Sequence, residues 1–209
     1  MKLFLASSFD KTAELLKSKI KSLRGKKVIF IPNAGDNDKG DKWWIKTDRD
    51  AYLKLGCKVI DTDLRIVSKD AFTKLLKESD IIHFCGGSVI YLICLIKERG
   101  FDKLIVEYVK KDKIIYTGTS AGSMIVADDL TIDAYDPDEK EFVDRMKDNS
   151  GLGLVNFLII PHTNSKDFAK GNSKMVSELP EIESCQSLIF IYDNQAVWVE
   201  DDKFEILSK

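Results

Sequence analysis

Short apolar runs alternate with longer amphipathic stretches along most of this chain. Leu3 to Ala6, Lys27 to Pro32, Cys57 to Ile60, Ile81 to Phe84, Lys113 to Thr117 and Leu154 to Pro161 are rich in β-branched and aromatic residues, at the length of buried strands. Between them, apolar positions recur at helical spacing. Asp10 is placed to cap a helix carrying Ala13, Leu16, Ile20 and Leu23, ended by Gly25. Asp41 to Leu55 reads as a second helix, and Ser68 caps a third carrying Ala71, Phe72, Leu75 and Leu76. Val89 to Glu98, Phe101 to Lys110 and Ser165 to Leu179 follow the same rule. From Ser187 the period changes to two, giving strands Leu188 to Tyr192 and Ala196 to Glu200 joined by Asp193-Asn194-Gln195, with Lys203 to Leu207 last. The expected fold is α/β: a doubly wound, mostly parallel sheet flanked by helices, closed by a C-terminal antiparallel hairpin, in a single domain over 1–209.

Composition sharpens this picture only at its edges. Hydrophobic residues make up 44% and charged residues 32% of the 209 positions, an ordinary globular balance. The net charge of -2 leaves no basic surface for nucleic acid, because the cations alternate with acids. The densest basic stretch, Lys17 to Lys27, fits the solvated end of a helix. Met1 to Ser8 turns polar too soon for a signal peptide, and no apolar run reaches membrane-spanning length, so a cytoplasmic protein without membrane contact is expected. Cys57, Cys85, Cys94 and Cys185 have neither zinc-site nor disulfide-framework spacing and are expected to be reduced and buried. No metal and no cofactor is implied.

The chemistry concentrates where strands end. Gly118-Thr119-Ser120-Ala121-Gly122 follows a buried strand and fits the G-x-S-x-G nucleophile elbow, a strand-to-helix corner that lifts a serine hydroxyl clear of the sheet. It would aim the Ala121 N–H at a developing oxyanion, with the dipole of the following helix behind it. Serine needs a base, and the chain has two histidines. His83 lies inside a strand and reads as structural. His162 follows a strand in Ile160-Pro161-His162-Thr163-Asn164, at the carboxyl edge where open α/β sheets gather ligands. A carboxylate must orient the imidazole. Several compete: Asp128 and Asp129 follow the elbow helix too closely to turn back easily, whereas Asp133 and Asp136 have room to return. Upstream, Gly86-Gly87 permits close backbone approach with free N–H groups.

Three motifs in order, Phe84-Cys85-Gly86-Gly87-Ser88-Val89-Ile90-Tyr91-Leu92, then Gly118 to Gly122, then Pro161-His162, resemble the peptidase E family of serine peptidases, relatives of cyanophycinase. The resemblance spans nearly the whole chain. It implies a fold similar to the class I glutamine amidotransferases, Ser120 as nucleophile, His162 as base, and an oxyanion site made by the N–H groups of Gly87 and Ala121. It points to Asp136 as the third member, ahead of Asp133. The implied activity is dipeptidase-like hydrolysis of small peptides through an acyl-enzyme, by a monomer or homodimer. The chain departs from the family at Cys85 and Ser88, where three glycines and an asparagine are usual; Ser88 is the expected substrate contact, with a shorter reach. Ser165 to Lys174 holds lysines but no arginine, and lysine does not reproduce a bidentate fork, so strict aspartyl preference is not expected. The same triad would serve an amidase or esterase, and the same fold a non-catalytic binding module. A nucleophile at Cys85 would lack an elbow.

Overall fold

The computed structural model describes residues 1–133, 139–178 and 186–209. In chain order its regular elements are β1 (Lys2–Ala6), α1 (Phe9–Thr12), α2 (Leu16–Lys19), β2 (Lys27–Ile31), α3 (Trp43–Lys54), β3 (Lys58–Asp61), α4 (Lys69–Glu78), β4 (Ile81–Phe84), α5 (Val89–Glu98), α6 (Asp102–Lys110), β5 (Ile115–Thr119), α7 (Ala121–Met124), α8 (Lys140–Val143), β6 (Phe157–Ile160), α9 (Ala169–Glu178), β7 (Ser187–Phe190), β8 (Gln195–Glu200) and β9 (Lys203–Ser208). Seven strands form one sheet in the order β3-β2-β4-β5-β1-β8-β9, parallel from β3 to β1 and antiparallel beyond.

Alternation along the strands sorts the core into two layers. Leu3, Leu5, Ile29 and Ile31 face the layer built with α4, α5 and α6. Phe4, Ala6, Val28 and Phe30 face the layer built with α1, α2 and α3. β1 and β2 are therefore apolar on both faces, which is why each reads as a continuous apolar run. No helix among the described residues is long and apolar enough to cross a membrane.

Three expectations are corrected. The helix read from Asp10 to Leu23 is broken into α1, a 3₁₀ turn over Ala13–Leu15, and α2. Asp10 lies inside the first turn, where its N–H bonds Asp48 Oδ1; Ser8 holds the N-cap position. The Asp193 segment does not join two hairpin strands. β7 pairs in parallel with β6, forming a separate two-stranded sheet, and the C-terminal hairpin is β8–β9. Pairing β7 with β6 buries Leu188 and Ile189 against the core beside Leu158 and Ile160, a long-range gain that local alternation cannot reveal. Ser68 does cap α4, its hydroxyl accepting from the Ala71 N–H at 3.2 Å.

The glycines of the elbow serve close approach. A Cβ on Gly122 would lie 2.1 Å from the Phe84 carbonyl oxygen, and one on Gly118 would lie 2.3 Å from the Gly122 carbonyl oxygen. The Tyr116 hydroxyl donates to that same Gly122 carbonyl at 2.6 Å, locking the corner to β5. Gly122→Ala is therefore expected to lower unfolding free energy by about 3 kcal/mol through overpacking, read as a fall in the urea midpoint at unchanged m-value.

Candidate active site

Ser120 takes φ 49 and ψ -113, a strained conformation for a residue with a Cβ, at the junction of β5 and α7. Its N–H donates to the Ala6 carbonyl at 3.0 Å, and its carbonyl accepts from the Ser123 and Met124 N–H groups. The Ser123 hydroxyl donates to the same Ala6 carbonyl at 2.8 Å. From beneath, the Thr119 hydroxyl donates to Asp48 Oδ2 at 2.7 Å. The turn is thus held by the end of β1 and by a buried carboxylate. The helix behind it is a single turn, so any oxyanion stabilisation rests on individual N–H groups more than on a long helix dipole.

His162 also has positive φ, at 59. Its N–H donates to Ser7 Oγ at 2.8 Å, and its ring stacks on Phe168 with centroids 4.3 Å apart. Its Nδ1 lies 2.6 Å from Asp193 Oδ1. Ser7 Oγ donates to Asp193 Oδ1 at 3.2 Å, Lys11 Nζ pairs with Oδ2 at 2.8 Å, and Asn164 Oδ1 accepts from the Asp193 N–H at 2.9 Å. Burial pushes the Asp193 carboxyl up, but the bonds and charges of Lys11 and His162 outweigh it and hold the group below the ordinary carboxylate range. With Nδ1 bound to that carboxylate, Nε2 is the nitrogen left to serve a nucleophile.

Ser120 and His162 are anchored to consecutive residues, Ala6 and Ser7, at the end of β1. Ser120 Oγ and His162 are not themselves hydrogen-bonded; such bonds tighten when substrate enters. The glycine loop abuts the elbow: a Cβ on Gly86 would lie 3.2 Å from Ser120 Cβ. Gly87 has φ 143, and a Cβ there would strike the Ala34 carbonyl oxygen at 2.2 Å, so only glycine fits. Neither the Gly87 nor the Ala121 N–H donates to a backbone carbonyl among the described residues.

Ser88 caps α5, accepting from the Tyr91 N–H at 3.3 Å and donating to the Glu139 carboxylate, so its hydroxyl is engaged within the protein. Asp133 is half-buried, its N–H bonded to the Leu130 carbonyl at 3.0 Å, and Asp136 lies outside the described residues. The carboxylate on His162 is Asp193, which the sequence reading passed over. It follows a strand end, the signal that singles out His162, but its Asp-Asn-Gln surroundings have the composition of a hairpin turn.

Among the described residues, the donor atoms of Asp48, His83 and Cys85 lie within 4.8 Å of one another. Their surroundings suit a hydrogen-bond network. Both Asp48 oxygens already accept protein hydrogen bonds, burial pushes the Cys85 thiol well up, and His83 Nδ1 meets Thr117 at 3.0 Å and Tyr52 at 3.2 Å.

The sequence pattern of peptidase family S51 matches residues 3–207. The chain belongs to peptidase family S51. An uncharacterized peptidase of Listeria innocua is 30% identical over 208 residues, 99% of this chain and 95% of that one. Another, from Listeria monocytogenes, is 32% identical over 84% of each chain. The crystal structure of a candidate peptidase E protein from Listeria monocytogenes superposes with a TM-score of 0.89 at 27% identity, covering 100% of this chain and 98% of that one. A peptidase from an acI-B1 actinobacterium shares the fold, with a TM-score of 0.69 at 20% identity, over 100% of this chain and 87% of that one. This S51 member is thus a serine peptidase with a mostly parallel, helix-flanked sheet and a C-terminal hairpin.

Proposed function

We propose that this S51 peptidase hydrolyses small peptides through an acyl-enzyme formed on Ser120, with His162 as general base and Asp193 as the carboxylate that orients it. The observation that carries the reading is the strained Ser120 turn tied to the same end of β1 as the His162–Asp193 pair. Ser120 Oγ attacks the scissile carbonyl while its proton passes to His162 Nε2. Asp193 accepts the Nδ1–H and stabilises the imidazolium. The tetrahedral oxyanion is held by the Gly87 and Ala121 N–H groups, each contributing about 3 to 4 kcal/mol of barrier lowering. Collapse returns the proton to the leaving amine. Water then repeats the sequence on the ester, with the same histidine as base. Ser88 is assigned to helix capping, and Asp136 is not needed to orient His162.

A fluorophosphonate should label Ser120 stoichiometrically in the native protein, by attack of Oγ on phosphorus with loss of fluoride. Labelling of the folded protein elsewhere, or nowhere, would sink the mechanism. Among substrates, dipeptides with a free amino terminus should exceed p-nitrophenyl esters in kcat/KM; the reverse order would move the activity to an esterase.

A further inference from the structure

The peptide between Gly86 and Gly87 is one of the two backbone units that the proposed mechanism asks to point in a single direction, the other being the peptide that carries the Ala121 N–H. Its N–H belongs to Gly87, the assigned oxyanion donor, and its carbonyl belongs to Gly86. No cis peptide is present among the described residues, so the two groups point in opposite directions within one plane. Flanked by two residues without Cβ, this plane meets little steric resistance to turning over. Turned over, it would present a carbonyl oxygen to the oxyanion in place of a donor.

One side chain touches that carbonyl. Trp44, half-buried in the first turn of α3, donates its indole N–H to the Gly86 oxygen at 3.0 Å. An indole N–H donates and cannot accept. A flipped plane would therefore set the Gly87 N–H against the Trp44 N–H, with neither able to bond the other. The surroundings hold Trp44 in place: a Cβ on Gly35 would lie 3.7 Å from Trp44 Cζ2 and 2.9 Å from Ile45 Cδ1, so Gly35 packs beneath the helix start. The adjoining Ala34 carbonyl accepts the Ser88 N–H at 2.8 Å, fixing the far side of the glycine pair.

We infer that Trp44 is a positioning residue for the oxyanion site: its donor-only hydrogen bond to the Gly86 carbonyl keeps the Gly87 N–H turned toward the reacting carbonyl. It acts through the backbone and touches no substrate atom. The inference rests on the assignment of Ser120 and Gly87 above.

The test compares Trp44→Phe, which keeps an aromatic ring but loses the donor, and Trp44→Met, which keeps apolar volume, with the wild-type enzyme on one dipeptide substrate. Both variants should lose kcat about tenfold or more with KM within twofold. The rate of Ser120 fluorophosphonylation should fall in parallel, and the melting temperature should stay within a few degrees. An unchanged kcat in either folded variant overturns the inference. So does a loss carried by KM alone, or a failure of both variants to fold, which would make Trp44 a packing residue. Absence of Ser120 labelling in the wild-type protein, or full activity in Ser120→Ala, would instead remove the reading beneath it. Wild-type rates in Trp44→Phe beside a dead Ser120→Ala would remove only the role of Trp44.

Discussion

Ser120→Ala is expected to lower kcat for peptide hydrolysis by about a million-fold, the scale seen when a triad nucleophile is removed. KM should move little, because the hydroxyl adds almost nothing to ground-state binding. Fold stability should stay within about 0.5 kcal/mol, since alanine meets the same φ of 49 as serine and the turn is held by backbone bonds that the substitution leaves intact. Single-turnover and steady-state assays on protein with a wild-type melting curve would read the loss. Activity within tenfold of wild type would show that another group forms the acyl-enzyme.

Asp193→Asn should reduce kcat about ten-thousand-fold, the size of effect produced when an orienting aspartate becomes asparagine with geometry preserved. The amide can offer an N–H to His162 Nδ1, favouring the tautomer that carries its proton on Nε2. A nitrogen already bearing a proton cannot take one from Ser120. The same substitution has a signature in stability against pH. The folded-state Asp193 carboxyl lies below its ordinary value, so the stability it contributes is complete above the unfolded carboxylate range and is lost as pH falls through the lower folded value. Denaturation curves between neutral pH and pH ~3 should therefore show a shallower acid decline in Asp193→Asn than in the wild-type protein. Equal slopes would mean that Lys11 and His162 do not stabilise this carboxylate.

The sequence was most legible where local and global demands coincide. Strands buried on both faces are apolar at most positions, so β1, β2, β4 and β5 could be read from their residues alone. Gly118 to Gly122 announced a corner because packing against Phe84 and β5 admits no larger residue at either glycine. Partners distant along the chain were not legible. Ser7, Lys11 and Asp193 meet because β1 lies beside β8 and the chain reaches β8 through the Asp193 turn, an arrangement invisible to periodicity. A short Asp-Asn-Gln segment between alternating runs has the composition of a hairpin turn, and only the pairing of β7 with β6 shows otherwise. Trp44 carried no signal, because an aromatic residue early in an amphipathic helix is most simply core.

The small second sheet divides the proposed catalytic residues between two frames. β6 and β7 are register partners, Ile160 opposite Phe190, and each runs on within three residues to one half of the base pair, His162 or Asp193. Ser120 arrives on the large sheet. His162 and Asp193 therefore come from adjoining strands of the small sheet, while Asp193 leads straight into β8 of the large one, and Ser120, His162 and Asp193 all bond to the end of β1 at Ala6 or Ser7. A substitution at the end of β1 would thus be felt at the proposed nucleophile, base and carboxylate together, because the one short segment Ala6-Ser7 holds all three.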